Sequence, residues 1–371
     1  MKTGQNDARY MRMAIELAKK GIGLTSPNPL VGCLIVKSGR IISRAYHRKA
    51  GTLHAEAKAL GIAGRKAVGA TLYSNLEACT HFGRTPPCTD AIITHGIKRA
   101  VFASKDPNPI NYGKGIRILK NAGVEVECGV LEDKAKDLNR PFNKFITKNL
   151  PYLTVKIAQS IDGKIADSNG SSKWITGGRS RKFVHKLRAY NDAVMIGVNT
   201  LIKDDPLLSN RYFQSIKKNP IRVIVDTHLR TPVTSRIFKC CKGNLIIAAG
   251  KGASSRKRAS LSKKGAQVLL LPKKRGKVNL KYLMRYLASR GISTVLCEGG
   301  GELVASLLKE GLVDEVFFFI SPRIIGGRDS ATSCGGDRSS LAESHWIRKI
   351  ESRKIDGDIL IRGLVSCFPE S

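Results

Sequence analysis

His54-Ala55-Glu56 and, farther along, Cys79 and Cys88 are residue types that bind a soft divalent metal and move protons beside it. One neutral imidazole and two thiolates supply three ligands of a tetrahedral zinc ion and leave the fourth position for water, the open arrangement of a catalytic zinc. Zinc held in this way lowers the pKa of bound water to about 7. A glutamate two residues beyond the histidine, not itself a ligand, can then shuttle protons. A closed structural site would need a fourth ligand, and none can be named nearby. The bland alternative is a buried helix with incidental cysteines, and Cys33 and Cys128 taken singly read as small core residues.

A second set of polar residues lies in the other half of the chain. The run Val155 to Ala166 places a polar turn after an apolar strand, followed by Ser172-Lys173-Trp174-Ile175-Thr176-Gly177. Val295 to Glu302 reads as strand, glycine turn and helix start. Polar groups gathered at strand ends of an α/β sheet mark a ligand crevice, and glycines at a helix start let backbone N–H groups approach a phosphate. The glycines do not spell G-x-G-x-x-G, so no Rossmann motif is assigned, and a plain tight turn is an equal reading. Gly113-Lys114-Gly115 is expected to be a turn, His95 and His228 packing or surface residues, and Phe317-Phe318-Phe319 a buried strand. The basic stretch Pro272 to Lys277 is expected to be a solvated loop between a strand and a helix rather than a localisation signal.

The elements that must position these residues follow from periodicity. A helix capped by Asn6 or Asp7 carries the apolar stripe Met11, Ala14, Ile15, Leu17 and Ala18 and stops at Gly21. Leu30 to Val36 and Arg40 to Tyr46 flank a tight turn and make a hairpin. A helix begins near His54; then strands at Ala70 to Asn75, Lys98 to Ala103 and Val124 to Cys128 alternate with helices at Cys88 to His95 and Gly115 to Ala122, which implies a three-layer α/β domain. Arg140 to Pro151 shows little periodicity, which puts a boundary near Asn149 and domains at 1–149 and 150–371. Beyond it, Tyr152 to Ala158, Asp192 to Gly197, Ile221 to Asp226, Asn244 to Ala248, Gln267 to Leu271 and Thr294 to Cys297 read as buried strands of a second α/β domain.

Composition agrees with two folded domains: 371 residues, 42% hydrophobic and 25% charged, exclude wholesale disorder and a disulfide-stapled miniature. Nine scattered cysteines suit a reducing compartment, and the polar start and lack of a long apolar run suit neither a signal peptide nor a membrane helix. The cytoplasm is the expected location. Lys plus Arg number 64 against 29 for Asp plus Glu, a net charge of +35 that attracts polyanions and phosphorylated small molecules alike. A nucleic-acid deaminase and a basic RNA-binding protein with a structural zinc are therefore alternatives. The first has no need of a second domain, and the second needs a fourth ligand.

The H-x-E spacing with two downstream cysteines resembles the zinc deaminases. Eight residues separate Cys79 from Cys88, however, where general cytidine deaminases have two. Taken with Thr25-Ser26-Pro27-Asn28-Pro29-Leu30-Val31-Gly32, with His47 followed by Ala50-Gly51, and with Gly83-Arg84-Thr85-Pro86-Pro87-Cys88, the first half resembles the deaminase part of the bifunctional riboflavin-pathway deaminase/reductase family. That resemblance implies His54, Cys79 and Cys88 as zinc ligands, Glu56 as the catalytic proton carrier, and Asn28 and His47 as substrate contacts. Ala78 and Leu53 stand where the family commonly has proline, and Ser43 and Ala45 where it has glycine, changes that bear on the rigidity of the loops.

From Tyr152 to about Cys367 the chain is similar to the reductase half of the same family, whose fold is like that of dihydrofolate reductase and whose hydride donor is NADPH. The resemblance implies that Ala158, Trp174, Thr200, Asp204, Thr227 and the run Gly300, Gly301, Glu302, Leu303, Val304, Ala305 and Ser306 contact the dinucleotide. It implies Ser172, Arg188, Leu208, Arg211 and Glu298 as substrate contacts, the two arginines being suited to a phosphate by their planar fork. Lys156 and Asp204 are candidates for assisting the reduction. The fold class expected is α/β, a cytidine-deaminase-like three-layer domain followed by a dihydrofolate-reductase-like domain. The expected reactions are hydrolytic deamination of a phosphoribosylated diaminopyrimidinone and NADPH-dependent reduction of its ribosyl group. The expected partners are that substrate, zinc and NADPH, with no specific nucleic acid, no membrane, and a homo-oligomer left open.

Overall fold

In the computed structural model, residues 3–82, 86–213, 219–240, 243–336 and 340–366 are described. Gly83, Arg84 and Thr85 of the motif before Cys88, and Cys241 and Cys367, lie outside them. The chain divides into two compact units, Met1–Leu150 and Pro151–Ser371.

The first unit opens with α1 (Thr3–Ala18), followed by the hairpin β1 (Gly32–Lys37) and β2 (Arg40–Tyr46), α2 (Ala55–Ala63) and β3 (Thr71–Ser74). Then come α3 (Cys88–Thr94), β4 (Arg99–Phe102), α4 (Lys114–Asn121), β5 (Glu125–Cys128), α5 (Glu132–Leu138) and α6 (Arg140–Lys148). The five-stranded sheet runs β2-β1-β3-β4-β5, with β3, β4 and β5 parallel and the hairpin antiparallel at one edge. One face packs Ala55, Ala59, Leu60, Ile92 and Leu119 from α2, α3 and α4; the other packs Tyr10, Met11, Ala14, Ile15 and Ala135 from α1 and α5. Helices therefore cover both faces of the sheet. Gly32 lets β1 lie directly against α1, since a Cβ there would stand 2.2 Å from the Ala14 carbonyl oxygen.

Two expectations fail in this unit. Helix α1 starts at Thr3, and Asp7 is not its cap: the carboxylate is buried, accepts the Tyr73 hydroxyl at 2.6 Å and takes both Nη atoms of Arg99 at 2.9 and 3.0 Å. Arg140 to Pro151 is helical for most of its length. Phe142, Phe145 and Ile146 fall at helical spacing on one face of α6, though none is fully buried, and Pro141 at its first turn starts the helix rather than breaking it.

The second unit contains β6 (Tyr152–Ser160), α7 (Gly178–Tyr190), β7 (Ala193–Gly197), α8 (Val198–Asp204), β8 (Ile221–Val225), β9 (Leu245–Gly250), α9 (Ser255–Lys263) and β10 (Gln267–Leu271). A small hairpin, β11 (Lys273–Lys274) and β12 (Lys277–Val278), precedes α10 (Leu280–Ser289), β13 (Thr294–Cys297), α11 (Gly301–Lys309), β14 (Glu315–Ser321), β15 (Trp346–Ile355) and β16 (Asp358–Ser366). The nine-stranded sheet is ordered β10-β9-β8-β7-β13-β6-β14-β16-β15. From β10 to β14 neighbouring strands are parallel, and β16 and β15 close the other edge antiparallel. The parallel part is built from Val, Ile and Leu runs buried on both faces, as crossover helices demand. Its strands bring their carboxyl ends, and the loops that follow them, to one rim.

Candidate active sites in the two units

His54 occupies the N-cap position of α2, yet its side chain makes no capping bond. Its ring instead turns Nδ1 toward two sulfurs, 3.4 Å from Cys79 Sγ and 3.4 Å from Cys88 Sγ. The three ligand atoms lie within 4.8 Å of one another. Zinc–ligand bonds of about 2.1 Å to nitrogen and about 2.3 Å to sulfur at tetrahedral angles put the two atoms about 3.6 Å apart, so the donor set fits a zinc ion. Cys79 comes from the loop after β3 and Cys88 is the first residue of α3; the Cys88 N–H donates to Cys79 Sγ at 3.4 Å. A side-chain hydrogen bond with the Cys88 thiol pulls the Cys79 thiol below its ordinary range, against burial and with help from His54.

Glu56, in the first turn of α2, is 4% exposed. Ser74 donates its hydroxyl to Oε1 at 2.8 Å, while Oε2 lies 3.7 Å from Cys88 Sγ. Burial raises the pKa of Glu56, with His54 opposing. His47 donates Nδ1–H to the Leu53 carbonyl, and its Nε2 meets Asn28 Nδ2, each at 3.2 Å. The His47 ring stands edge-on to His54 with centroids 5.4 Å apart. Burial holds its pKa down, against the Leu53 bond and with His54 adding to the lowering.

Sequence reasoning missed the supports of this site. Glu77, two residues before Cys79, accepts the backbone N–H groups of Asp106, Gly113 and Ile116 at 3.0, 3.0 and 3.1 Å. Asn111 donates to the Ala78 carbonyl at 3.2 Å and accepts the Thr80 N–H at 2.9 Å, bracketing Cys79 on both sides. The signal lay in Gly113-Lys114-Gly115: a Cβ on Gly115 would stand 2.3 Å from the Ala78 oxygen, so this glycine is required by the loop that carries Cys79. The loop thus has its own anchors without a proline at 78. The replacement at 43 is likewise tied in, with Ser43 Oγ donating to the Ala59 carbonyl at 2.8 Å.

In the second unit Ala158, Thr200, Thr227, Glu298 and Gly300 lie on or just after the carboxyl ends of β6, β7, β8 and β13. Arg188, on α7, and Glu298, just past β13, face each other: Nε to Oε1 is 2.5 Å and Nη2 to Oε2 is 2.8 Å. Burial disfavours the Glu298 carboxylate, but Arg188 outweighs it and the pKa is lowered. The fork of Arg188 is therefore taken by a carboxylate, with Nη1 on the Ser209 carbonyl at 3.4 Å. Arg211, by contrast, is exposed. Ser172 donates to Asp204 Oδ1 at 3.0 Å. Burial lowers the pKa of Lys156, with Glu298 and Asp204 opposing and Arg188 reinforcing.

Leu208 is 2% exposed and belongs to the hydrophobic core, so any ligand contact there would be through its backbone. Leu303 and Val304 are also buried. A helical run of seven residues cannot turn every side chain to one ligand, so from Gly300 to Ser306 the core takes these two. Trp174 is 62% exposed, with the Arg181 guanidinium 4.5 Å from its ring centroid. Ala158 is half-buried on β6. Thr200 faces the glycine turn, where a Cβ on Gly300 would lie 3.2 Å from its hydroxyl; Gly299 and Gly301 are pressed against the Ile196 Cα and the Thr332 carbonyl. The glycines let the backbone at the start of α11 pack directly against β7 and the 332–335 segment.

His185, also missed, is 5% exposed. Its Nδ1 accepts the Arg211 N–H at 3.4 Å and its ring packs edge-on to Tyr212. Burial, then Arg188 and Arg211, push its pKa down to about 4.

The model of the cytidine and deoxycytidylate deaminase zinc-binding region matches residues 4–104, and that of the RibD C-terminal domain matches 151–361. The riboflavin biosynthesis protein RibD of Aquifex aeolicus is 47% identical over 355 residues, covering 96% of this chain and 97% of its own. That of Escherichia coli is 36% identical over 366 residues, 96% of this chain and 98% of its own. Acinetobacter baumannii RibD, form 1, superposes with a TM-score of 0.88 at 38% identity, over 98% of this chain and 99% of that one. A diaminohydroxyphosphoribosylaminopyrimidine deaminase/5-amino-6-(5-phosphoribosylamino)uracil reductase from Thermotoga maritima does so at 0.82 and 35%, over 98% and 99%. The α/β class holds in both units, a cytidine-deaminase-like three-layer domain and a dihydrofolate-reductase-like domain. With its zinc-type His/Cys/Cys cluster in one unit and its rim of polar strand ends in the other, the chain belongs to the RibD family, a riboflavin-biosynthesis deaminase and reductase in one polypeptide.

Proposed function

We propose that the first unit hydrolyses the ring amino group of 2,5-diamino-6-(5-phosphoribosylamino)pyrimidin-4-one, and that the second reduces the ribosyl group to ribityl, giving 5-amino-6-(5-phosphoribitylamino)uracil. The observation that carries this reading is the convergence of His54 Nδ1, Cys79 Sγ and Cys88 Sγ beside Glu56. Three protein ligands hold a zinc ion and leave a place for water, which such an ion activates when bound. Glu56, fixed at Oε1 by Ser74, keeps Oε2 on the cysteine side, where it can carry one proton from attacking water to the ring nitrogen and then a second, from the hydroxyl so formed, to the amino group that leaves as ammonia. Asn28 and His47, joined to each other, are the proposed substrate contacts.

In the second unit NADPH, when bound, supplies a hydride for C1′ of the ribose. Opening of the sugar ring also consumes a proton at the ring oxygen, and Lys156 and Asp204 are the groups proposed to deliver or hold it. Arg211 is the proposed phosphate ligand, and the Arg188–Glu298 pair sets the wall behind it. We infer a cytoplasmic location. The thiols of Cys33, Cys79, Cys88, Cys128, Cys297 and Cys334 are free, as a reducing compartment keeps them, and no helix among the described residues is long and apolar enough to cross a membrane.

The test is to incubate the zinc-loaded protein with NADPH and the diaminopyrimidinone ribosyl phosphate and to follow ammonia and NADPH oxidation separately. Both signals are expected. Absence of ammonia would remove the first half of the proposal, and absence of NADPH oxidation on the deaminated intermediate would remove the second.

A further inference from the structure

The basic stretch after β10 is not a loose loop. β11 and β12 pair antiparallel with Lys274 opposite Lys277, and Arg275 and Gly276 between them have φ of +49° and +75°. This is the two-residue hairpin turn in which both central residues are left-handed. The hairpin is fixed at the rim of the reductase sheet, because the Val278 N–H donates to Thr227 Oγ1 at 3.2 Å. Lys277 Nζ lies 3.8 Å from Glu302 Oε2 at the start of α11, both side chains being exposed.

The turn after β8 has a second feature. Asp226, directly after that strand, is fully buried, and its carboxylate is consumed by the Arg230 N–H at 2.9 Å and by the N–H and hydroxyl of Thr231, each at 2.7 Å. In dinucleotide sites of doubly wound sheets, an acid near a strand end accepts the ribose hydroxyls of NAD, whereas an arginine there accommodates the 2′-phosphate of NADP. Asp226 is turned inward and cannot serve as that acid. Arg230 is exposed, and its Nη2 reaches Asn199 Oδ1 at 2.6 Å, beside Thr200. Thr200 in turn faces the Gly300 turn. The ends of β7, β8 and β13 thus meet through Asn199, Thr227 and Gly300, with Arg230 three residues past Thr227 and Lys277 bound to it through its neighbour Val278.

We propose that Arg230 and Lys277 bind the 2′-phosphate of the dinucleotide and make the reductase selective for NADPH over NADH. The inference rests on the reading of this unit as a nicotinamide-dependent reductase and adds the residues that choose between the two cofactors. A 2′-phosphate is a dianion near neutral pH and needs cations that are not already consumed. The neutral Asn199 amide does not neutralise Arg230, and the 3.8 Å contact of Lys277 with Glu302 is exposed and weak. Lys277 has a further use, since it screens the phosphate from the Glu302 carboxylate. Two charge-assisted contacts, one of them a planar fork, are a chemical match for phosphate oxygens.

The test is calorimetric titration of the full chain with adenosine 2′,5′-bisphosphate, adenosine 5′-diphosphate, NADPH and NADH, for the wild type and for Arg230→Gln combined with Lys277→Gln. The 5′-diphosphate separates a 2′-phosphate site from one for the pyrophosphate. The double variant is expected to weaken the bisphosphate and NADPH at least 30-fold, and the 5′-diphosphate and NADH less than 2-fold. Both positions are exposed, and ammonia release by the other unit reports whether the variant chain is intact. Equal weakening of all four ligands, or of none, overturns the proposal. A wild type that binds NADH as tightly as NADPH overturns it too but leaves the reductase reading in place. A wild type that binds none of the four removes both.

Discussion

Arg188 and Glu298 form a buried two-bond ion pair, 2.5 and 2.8 Å, that ties α7 to the end of β13. The side chains are 14% and 6% exposed, so each charge depends on the other. Removing one partner of such a pair costs about 3–5 kcal/mol because the other is left buried and uncompensated. Glu298→Ala is expected to lower the stability of the second unit by that order, and Glu298→Gln by less, since the amide oxygen can still accept one N–H. Denaturant unfolding of both variants checks the order; equal losses would mean that the pair is not held by charge.

His185 gives the second unit a pH dependence with a definite sign. Its folded pKa of about 4 lies below the unfolded value of about 6.5, so in that window the unfolded chain binds the extra proton. Stability is therefore complete above about pH 6.5 and falls as pH drops toward 4, by something on the order of 3 kcal/mol. His185→Gln, which keeps an acceptor for the Arg211 N–H but does not titrate there, is expected to flatten this slope. Unfolding curves at several pH values between 4 and 7 measure it.

Gly115→Ala puts a methyl group 2.3 Å from the Ala78 carbonyl oxygen, one residue from Cys79. The loop must move, and displaced supports of metal ligands typically cost 10–100-fold in metal affinity or activity. Zinc transfer to a chromogenic chelator is expected to be easier by about that factor, with ammonia release falling and NADPH oxidation on the deaminated intermediate unchanged. Unaltered zinc retention would show that the loop has slack.

Glu56→Gln keeps the size of the side chain and an acceptor for Ser74 but removes the proton carrier. Ammonia release is expected to fall by about 10²–10⁴-fold, the contribution of general acid–base catalysis, while NADPH oxidation on the deaminated intermediate continues. Loss of both activities would contradict two independent sites.

Much of this was legible in the sequence where the signal is local. The parallel strands are Val, Ile and Leu runs, the β1–β2 turn contains Ser38 and Gly39 with φ of +49° and +73°, and the metal set declares itself by residue type and spacing. The rest depends on distant partners. Asp7 looks like a cap because Arg99 and Tyr73 are 92 and 66 residues away. Leu208 looks available until Leu229, Ile237 and the strands close around it. Strands β15 and β16 are hard to see because their side chains alternate poorly, β15 being almost wholly exposed. Glu77 has no motif of its own, since its three partners are backbone N–H groups and backbone carries no sequence signature.

Leu30, two residues after Asn28, is held at both its N–H and its carbonyl by the side chain of Asn139, with bonds of 2.8 and 3.0 Å across 109 residues. The proposed substrate-facing loop at the front of the first unit is therefore latched by almost the last segment of that unit. During synthesis the metal ligands, complete by residue 88, are made well before the latch, and the loop can lock only once residue 139 has emerged. The deaminase matures just as the first strand of its reductase partner follows it out of the ribosome.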